Sequence, residues 1–256
     1  MKVAKYSANG NDFVIFHSLV NEDRSELAKT LCHRQEGVGA DGLIVLLPNE
    51  KKENLYDFQW QFYNSDGSHA DMCGNGSRAC GHYAYNNNIA PQEMKFLTGA
   101  GVIAVSVQEN TPKSGMIISE LTPPEILDKE IEFNGHNWWL INTGVPHLVR
   151  YTDTIDTFDI EEARELRYVY NANVNVMHVV DGNLRVRTYE RGVEDETLAC
   201  GTGMSACFYR AYTEGKVQNN IEVYPTSGDT LYLGMNERTI TFAGRVKKTF
   251  ETEWEV

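Results

Sequence analysis

Two cysteines of this chain share one setting, because each is followed by Gly-x-Gly and, seven residues on, by a second cysteine. The two segments are CGNGSRAC at 73–80 and CGTGMSAC at 200–207. A thiol beside amide donors is readily held as a thiolate, which takes up and releases protons. Two such thiols acting on one carbon would remove a proton from one face and deliver a proton to the other. The repeat therefore predicts acid–base chemistry by Cys73 and Cys200.

Each segment stands at the predicted start of a helix, and these helices extend roughly over Gly74 to Tyr85 and Gly201 to Tyr212. The first N–H groups of a helix have no intrahelical partner, and the helix dipole favours negative charge there. Glycine also lets a ligand approach the backbone closely. A carboxylate, such as that of an amino acid, is therefore the predicted ligand. Cys80 and Cys207 lie two turns further along and are predicted to pack in the core.

Strand-like alternation precedes and follows each of these helices, so a strand–turn–helix–strand unit occurs twice in the chain. The offset between Cys73 and Cys200 is 127 residues in a chain of 256. This duplication predicts an α/β (α+β) protein with two pseudo-symmetric domains. The segment NTPKSG, at 110–115, is a candidate boundary between them. RSELAKTLCHR, at 24–34, is a third predicted helix, with Cys32 on its buried face.

Composition excludes several classes of partner. The chain has 41% hydrophobic residues and a net charge of -13, with no long run of Lys or Arg. A globular protein is expected, with neither nucleic acid nor membrane as its partner. The first residues carry no signal-peptide pattern, and the apolar run Leu43 to Leu47 is far too short to span a bilayer. A cytoplasmic protein with free thiols follows, and no metal site is predicted, because C-x-x-C and H-E-x-x-H are missing.

Two other kinds of site compete with this prediction. GVGADG, at 37–42, fits the glycine spacing of a dinucleotide site, but a predicted helix precedes it and a strand follows, the reverse of the required order. GTGMSA, at 201–206, lacks an obvious continuation with a ribose-binding acid. A Cys–His hydrolase with His147 as its base is a second alternative. Such an enzyme needs one nucleophile, so it leaves the second cysteine segment unexplained.

Several ordered motifs resemble one known family along nearly the whole length of the chain. They are GNDF at 10–13, GVGADGL at 37–43, YNSDGSHADMCGNGSR at 63–78, NTGVPH at 142–147, NANVN at 171–175 and YERGVEDETLACGTG at 189–203. The sequence is similar to the diaminopimelate epimerases, which need no pyridoxal phosphate and serve bacterial lysine and peptidoglycan synthesis.

The resemblance implies a fold and a division of the chain. Each domain would be a sheet wrapped around a central helix, and the active site would lie in the cleft between the domains. The N-terminal domain would comprise residues 1–112 plus about 247–256, because the last strand returns to it. The C-terminal domain would comprise about 113–246.

The resemblance also implies the roles of individual residues, with no cofactor. Cys73 and Cys200 would be the acid–base pair. The backbone amides of Gly74, Asn75, Gly201 and Thr202 would hold the α-carboxylate of the substrate. The side chains that would hold its distal end are Asn11, Asn64, Asn175, Glu190 and Arg191. Arg191 offers a fork for a distal carboxylate and Glu190 a counter-charge for an ammonium. His147 and Glu190 would tune the pKa values of the two cysteines.

Two departures from the family pattern leave substrate preference more open than reaction type. Some members have Gln where this chain has Gly42, and Asn where it has Val145. The predicted function is epimerisation of LL- to meso-diaminopimelate. The alternatives are a racemase for another amino acid, or a ligand-binding or redox protein with a regulatory Cys73–Cys200 disulfide. A homodimer is among the assemblies that the sequence allows.

Overall fold

The computed structural model describes residues 1–49 and 55–255. The chain forms two compact units, one made of residues 1–120 and 243–256 and the other of residues 121–242. We call these the first and the second unit.

The first unit is built mainly from strands, with two helices. Its elements in chain order are β1 (Lys2–Ala8), β2 (Asn11–His17), α1 (Ser25–Cys32), β3 (Gly42–Pro48), β4 (Phe58–Asn64), α2 (Gly74–Asn86), β5 (Glu93–Thr98), β6 (Gly101–Asn110) and β7 (Ser114–Glu120). The later part of β16 (Thr239–Glu253) completes it. The strands follow the order β16-β1-β2-β3-β4-β5-β6-β7, in which β2 pairs parallel with β3 and β4 pairs parallel with β5.

Helix α2 is the centre of the first unit. It packs against β1, β2 and β3 and also against β6 and β7, so the sheet wraps around it. Its buried Ala79, Cys80, Tyr83 and Ala84 join the aromatic core that includes the stacked rings of Phe58 and Phe96. Helix α1 covers the other face of the sheet, where Cys32 is buried as predicted. The helix expected from Gly74 to Tyr85 is confirmed to within a residue.

The segment NTPKSG lies in the hairpin between β6 and β7. Asn110 pairs with Gly115, and the N–H of Thr111 donates to the carbonyl of Ser114 at 2.8 Å. Both strands belong to the first unit, and the chain enters the second unit at Leu121. It returns at Ala243, and β16 then pairs antiparallel with β1 from Val246 to Glu253.

The second unit repeats the order of strands and helices of the first, with an additional strand at its start and a short strand before its second helix. Its elements are β8 (Glu125–Phe133), β9 (His136–Asn142), β10 (Pro146–Tyr151), α3 (Ile160–Tyr170), β11 (Asn173–Val180), β12 (Asn183–Glu190), β13 (Asp195–Thr197), α4 (Gly201–Thr213), β14 (Ile221–Tyr224) and β15 (Leu231–Asn236). The strand order is β15-β14-β12-β11-β10-β9-β8, with β13 beside β12. β10 pairs parallel with β11 and β12 with β14, as β2 does with β3 and β4 with β5. The predicted duplication and the mixed α+β class are thus confirmed.

Helix α4 occupies the place of α2. It packs against β9, β10, β11 and β12 and buries Met204, Cys207 and Phe208. Its predicted extent, Gly201 to Tyr212, is again confirmed to within a residue. Helix α3 corresponds to α1 and was not predicted, although Asp159 caps its first turn and Asn171 ends it in a left-handed conformation at φ 50°. Among the described residues, no helix is long and apolar enough to cross a membrane.

Candidate active site

Cys73 caps the N-terminus of α2. Its backbone is extended, at φ -149° and ψ 116°, and the N–H of Gly76 donates to its Sγ at 3.3 Å. A Cβ on Gly76 would lie 3.3 Å from the Cβ of Cys73 and 3.3 Å from Ile44 Cδ1, so there is little spare room between this turn and the sheet. The first intrahelical bond runs from the N–H of Ser77 to the carbonyl of Cys73. The amides of Gly74 and Asn75 precede that bond and are therefore available to an anion.

The other predicted residues of the first unit lie where β2, β3 and β4 begin or end, at the edge of the sheet beside this helix end. β2 begins at Asn11, β3 begins at Gly42 and β4 ends at Asn64, and Gly42 pairs directly with Asn64. Asn64 is exposed and donates from Nδ2 to Ser68 Oγ at 2.9 Å. A Cβ on Gly42 would lie 2.6 Å from the ring of Phe62 and 2.8 Å from the carbonyl of Tyr63, so packing requires glycine there.

A chain of hydrogen bonds links α2 to this edge. Asn75 Nδ2 donates to Asn11 Oδ1 at 2.7 Å, and Asn11 Nδ2 donates to Asp41 Oδ2 at 3.2 Å. At the other end, Arg78 Nη2 donates to Asn75 Oδ1 at 2.7 Å and to Asn9 Oδ1 at 2.8 Å. We call Cys73, Asn11, Asn64 and Asn75 the Cys73 cluster.

Cys200 has the same place in the second unit, as the N-cap of α4 with φ -120° and ψ 108°. It is buried, and its Sγ lies 3.5 Å from Thr202 Oγ1. The N–H of Met204 donates to the carbonyl of Cys200, so the amides of Gly201 and Thr202 precede the first intrahelical bond. Thr143 Oγ1 donates to the carbonyl of Thr202 at 2.8 Å and fixes this turn from the strand side.

His147 is fully buried between Thr202 and Asn175. Its Nε2 lies 2.9 Å from Thr202 Oγ1, and its Nδ1 lies 3.1 Å from Asn175 Nδ2. Burial, reinforced by the positive charge of Arg191, lowers the pKa of His147 to about 3. The imidazole is therefore neutral at physiological pH and carries a single N–H.

Asn175 is fully buried, and its amide is engaged on both sides. Nδ2 donates to the carbonyl of Leu148 at 2.9 Å as well as to His147, and Oδ1 accepts from Thr188 Oγ1 at 2.8 Å. A Cβ on Gly203 would collide with Oδ1 of Asn175. The side chain thus orients His147, and its direct contact with the distal end of a substrate stays a prediction.

Glu190 and Arg191 follow each other where β12 ends, close to the starts of β10 and β11. Burial raises the pKa of the Glu190 carboxyl. The N–H of Arg191 donates to Asn173 Oδ1, and its Nη1 donates to the carbonyl of Asn171 at 2.8 Å. We call Cys200, Thr202, His147, Asn175, Glu190 and Arg191 the Cys200 cluster.

The other cysteines lie in the core. Cys80 and Cys207 are fully buried, and burial raises the pKa of each thiol well above its ordinary value. Burial likewise raises the pKa of Cys32 to about 12. These three side chains are therefore neutral thiols that pack as small apolar groups. The prediction for Cys80 and Cys207 is confirmed.

The structure adds residues that the sequence did not single out. Asp41, Arg78, Thr143 and Thr188 contact members of the two clusters through side-chain hydrogen bonds. In the sequence, Asp41 stood out only as part of the GVGADG segment. That segment leads from α1 into β3, which is the helix-then-strand order predicted for it. Within residues 1–49 and 55–255, no three His, Cys, Asp or Glu side chains lie close enough together to hold a metal ion.

Solved structures with this fold include racemases and epimerases. A probable proline racemase from Agrobacterium radiobacter matches with a TM-score of 0.77 and 14% identity, covering 100% of this chain and 93% of that one. A predicted epimerase from Pseudomonas aeruginosa matches with a TM-score of 0.75 and 13% identity, covering 100% of this chain and 99% of that one. At such low identity the likeness concerns the fold alone.

Comparison with proteins of similar sequence identifies the family. A family model described as diaminopimelate epimerase matches residues 3–127 and 139–246. A diaminopimelate epimerase of Nitratiruptor sp. is 58% identical over 253 residues, covering 98% of each chain. One from Campylobacter jejuni is 51% identical over 99% of each chain, and one from Helicobacter pylori is 41% identical over 95% of this chain and 92% of the relative. The chain belongs to the diaminopimelate epimerase family, a family of isomerases.

Proposed function

We propose that this protein interconverts LL- and meso-2,6-diaminopimelate by a cofactor-independent reaction in which Cys73 and Cys200 are the acid and the base. One observation carries the proposal: each cysteine caps the helix that lies at the centre of its unit, in a chain of this family. Inversion at one carbon by proton transfer needs two equivalent groups, and the duplicated fold supplies two.

In the forward direction, one cysteine acts as a thiolate and takes the α-proton from one face of the substrate. The carbanion so formed at Cα takes a proton from the thiol of the other cysteine, on the opposite face. One proton is removed and one is delivered, so the products are the inverted substrate and an enzyme with the two protonation states exchanged. The reverse reaction uses the same groups in swapped roles. Two nearby thiolates would repel each other, so the two thiols titrate as a coupled pair.

The α-carboxylate is assigned to the backbone amides that begin the two helices. Those of Gly74 and Asn75 belong to α2, and those of Gly201 and Thr202 belong to α4. Amides of this kind, together with the helix dipole, favour an anion. They also stabilise the negative charge that develops beside the carboxylate when the α-proton leaves.

The distal end of the substrate is assigned to polar side chains at the strand ends of the two clusters. Arg191 would bind the distal carboxylate through its guanidinium fork, and Glu190 would accept from the distal ammonium. Asn11, Asn64 and Asn175 complete the set. This assignment supports a substrate with aminocarboxylate groups at both ends, and it gives the protein its proposed place in lysine and peptidoglycan precursor synthesis.

The reaction requires two cysteines that stay reduced, which fits the cytoplasm. The only partner that the proposal needs is the small-molecule substrate. Gel filtration of the protein used for activity measurements will show whether it is the homodimer that the sequence allows.

The proposal is tested by proton NMR of the reduced protein with LL-diaminopimelate in heavy water, with no cofactor added. We expect the α-proton signal to fade while the meso isomer appears. Exchange on proline or glutamate, but not on diaminopimelate, would support the same reaction on a different substrate. No exchange on any amino acid would contradict catalysis and favour the binding or redox alternative.

Four single cysteine variants, two at the proposed catalytic positions and two controls, show whether the two thiols serve as acid and base. Cys73→Ala and Cys200→Ala should each lower epimerisation by about 10²–10⁴-fold. Cys80→Ala and Cys207→Ala lie on the same two helices and serve as controls, which should keep turnover and lose only about 1 kcal/mol of stability. Equal activity losses in all four variants would indicate a packing effect and would count against the two-base reaction.

A further inference from the structure

The two repeats differ at one position in a way that concerns charge. The position five residues after the capping cysteine is Arg78 in the first segment and Ser205 in the second. Both side chains are fully buried. Ser205 Oγ donates to the carbonyl of Gly201 on its own helix, whereas Arg78 carries a buried guanidinium. A buried charge is costly, so the exception in one repeat calls for a reason.

The guanidinium of Arg78 lies at the first turn of its helix. Nη2 bridges Asn75, two residues after Cys73, and Asn9 in the turn between β1 and β2. Burial lowers the pKa of Arg78 to about 9, and negative charge on Cys73 opposes that effect. By the same interaction, the positive guanidinium favours a negative charge on the sulfur of Cys73.

Other charged and titratable groups lie around α2. Lys248 of β16 acts on His82, further along the helix, and pairs with Glu251. Arg78 is the only Arg or Lys in the helix. Burial raises the pKa values of Tyr6, Tyr83 and Cys80 and lowers that of His82, so each of these is neutral at physiological pH. His17 Nδ1 bonds to the hydroxyl of Tyr83 further along the helix. The ionic groups at the sheet edge form a network of their own, made of Lys5, Asp12, Arg34 and Asp41.

Arg78 also begins a chain of hydrogen bonds whose direction is determined at both ends. A guanidinium only donates, so the atom of Asn75 that faces Arg78 must be Oδ1, and Nδ2 then faces Asn11. A carboxylate only accepts, so the atom of Asn11 that faces Asp41 must be Nδ2. The two ends agree, and both amides have a single orientation in which each keeps one further N–H.

We propose that Arg78 is a positioning residue of the Cys73 cluster with two tasks. Its guanidinium cation favours the thiolate of Cys73. Together with Asp41 it orients the amides of Asn75 and Asn11, so that both present N–H donors to an anionic substrate. The second task rests on the proposed function, whereas the first is independent of turnover.

The first task is tested by following the alkylation of each cysteine by iodoacetamide against pH, with peptide mass spectrometry. In Arg78→Met we expect the pH midpoint for Cys73 to rise by about one unit while that for Cys200 stays unchanged. Arg78→Lys keeps the charge and should keep the midpoint close to that of the wild type. Arg24→Met is the matched control, because Arg24 is another buried arginine of the same unit that only holds loop and strand atoms. It should lower the melting temperature without moving either midpoint.

An unchanged Cys73 midpoint in folded Arg78→Met would overturn the first task, and so would an equal shift in Arg24→Met. If Arg78→Met does not fold, Arg78→Gln takes its place, because glutamine removes the charge and keeps an N–H donor for Asn75 Oδ1. An unchanged Cys73 midpoint in Arg78→Gln would then overturn the first task.

The second task is tested with Asp41→Asn, which allows the amide chain to reverse. We expect kcat/KM for diaminopimelate to fall at least about tenfold, with the Cys73 alkylation midpoint unchanged. Arg34→Met is the control, because it removes the ion pair on the exposed side of Asp41 and leaves the Asn11 contact in place. If Asp41→Asn and Arg34→Met have the same kcat/KM, the second task is wrong. Absence of turnover in the wild type would refute the proposed function and leave the alkylation result standing.

Discussion

His147 Nε2 lies 2.9 Å from Thr202 Oγ1, and this contact determines which atom donates to Cys200. The carbonyl of Leu148 identifies the amide nitrogen of Asn175, which therefore donates to His147 Nδ1. The neutral imidazole then carries its hydrogen on Nε2 and donates to Thr202. The hydroxyl hydrogen of Thr202 is left to donate to Cys200 Sγ at 3.5 Å. Asn175, His147 and Thr202 thus form a hydrogen-bonded relay that ends at Cys200, and we predict that it favours the thiolate of Cys200.

Replacing Thr202 by Val should weaken that thiolate. The hydroxyl is lost while the shape is kept, so we expect the alkylation midpoint of Cys200 to rise and kcat to fall about tenfold. Thr202→Ser retains the hydroxyl and should remain close to the wild type. The measurement is alkylation against pH for each cysteine, beside steady-state kinetics. Identical profiles for the Val and Ser variants would show that the hydroxyl has no such role.

Gly203→Ala should disturb the relay from the helix side. Its Cβ would collide with Oδ1 of Asn175 and lie 3.1 Å from Thr188 Oγ1, so the buried amide must shift. We expect a loss of about 1–3 kcal/mol in the free energy of unfolding, together with reduced turnover. Gly76→Ala has looser contacts, at 3.3 Å and beyond, and should cost less. Urea unfolding of both variants makes the comparison, and equal losses would contradict it.

The buried His147 should make folding sensitive to acid. The unfolded chain protonates this imidazole near pH 6.5 and the folded protein only near pH 3. Between these values the unfolded state binds more protons, so stability falls as pH falls, by about 1.4 kcal/mol per pH unit from this group. His147→Gln should remove that slope from a series of urea unfolding curves. The exposed His136 provides the control, and a slope that persists in His147→Gln but not in His136→Gln would refute the attribution.

Arg191→Lys tests recognition of the distal carboxylate. Lysine keeps the charge but has no planar fork, so we expect KM for diaminopimelate to rise about tenfold with a smaller change in kcat. Arg185→Lys, on an exposed arginine of β12, is the matched control. Steady-state kinetics on LL-diaminopimelate distinguishes the two variants. A fall in kcat alone for Arg191→Lys would indicate a role other than substrate binding.

The central helices could be predicted because their signals are local. A cysteine followed by Gly-x-Gly and then by helix-forming residues specifies where α2 and α4 begin, and both starts are confirmed. Helix α3 carried comparable local signals, with Asp159 as cap and two glutamates in its first turn, and it was overlooked.

Arg78 and Asp41 could not be found in this way, because their roles depend on contacts between distant residues. Asn75 meets Asn11 across 64 residues, and Arg78 meets Asn9 across 69. For Asn175, the sequence predicted a place near the site but not the role that its contacts show. The sequence indicated a polar side chain near the site, and only its buried partners show that it orients His147.

Strand β16 has a consequence for the order in which the protein is made. The first unit takes β1 from one end of the chain and pairs it with residues 246–253. On the ribosome, residues 121–242 are complete before that partner strand has been synthesised. Until then, one edge of β1 has unpaired backbone N–H and C=O groups, which can pair with strands of other nascent chains. The second unit, continuous in sequence, is free to fold first.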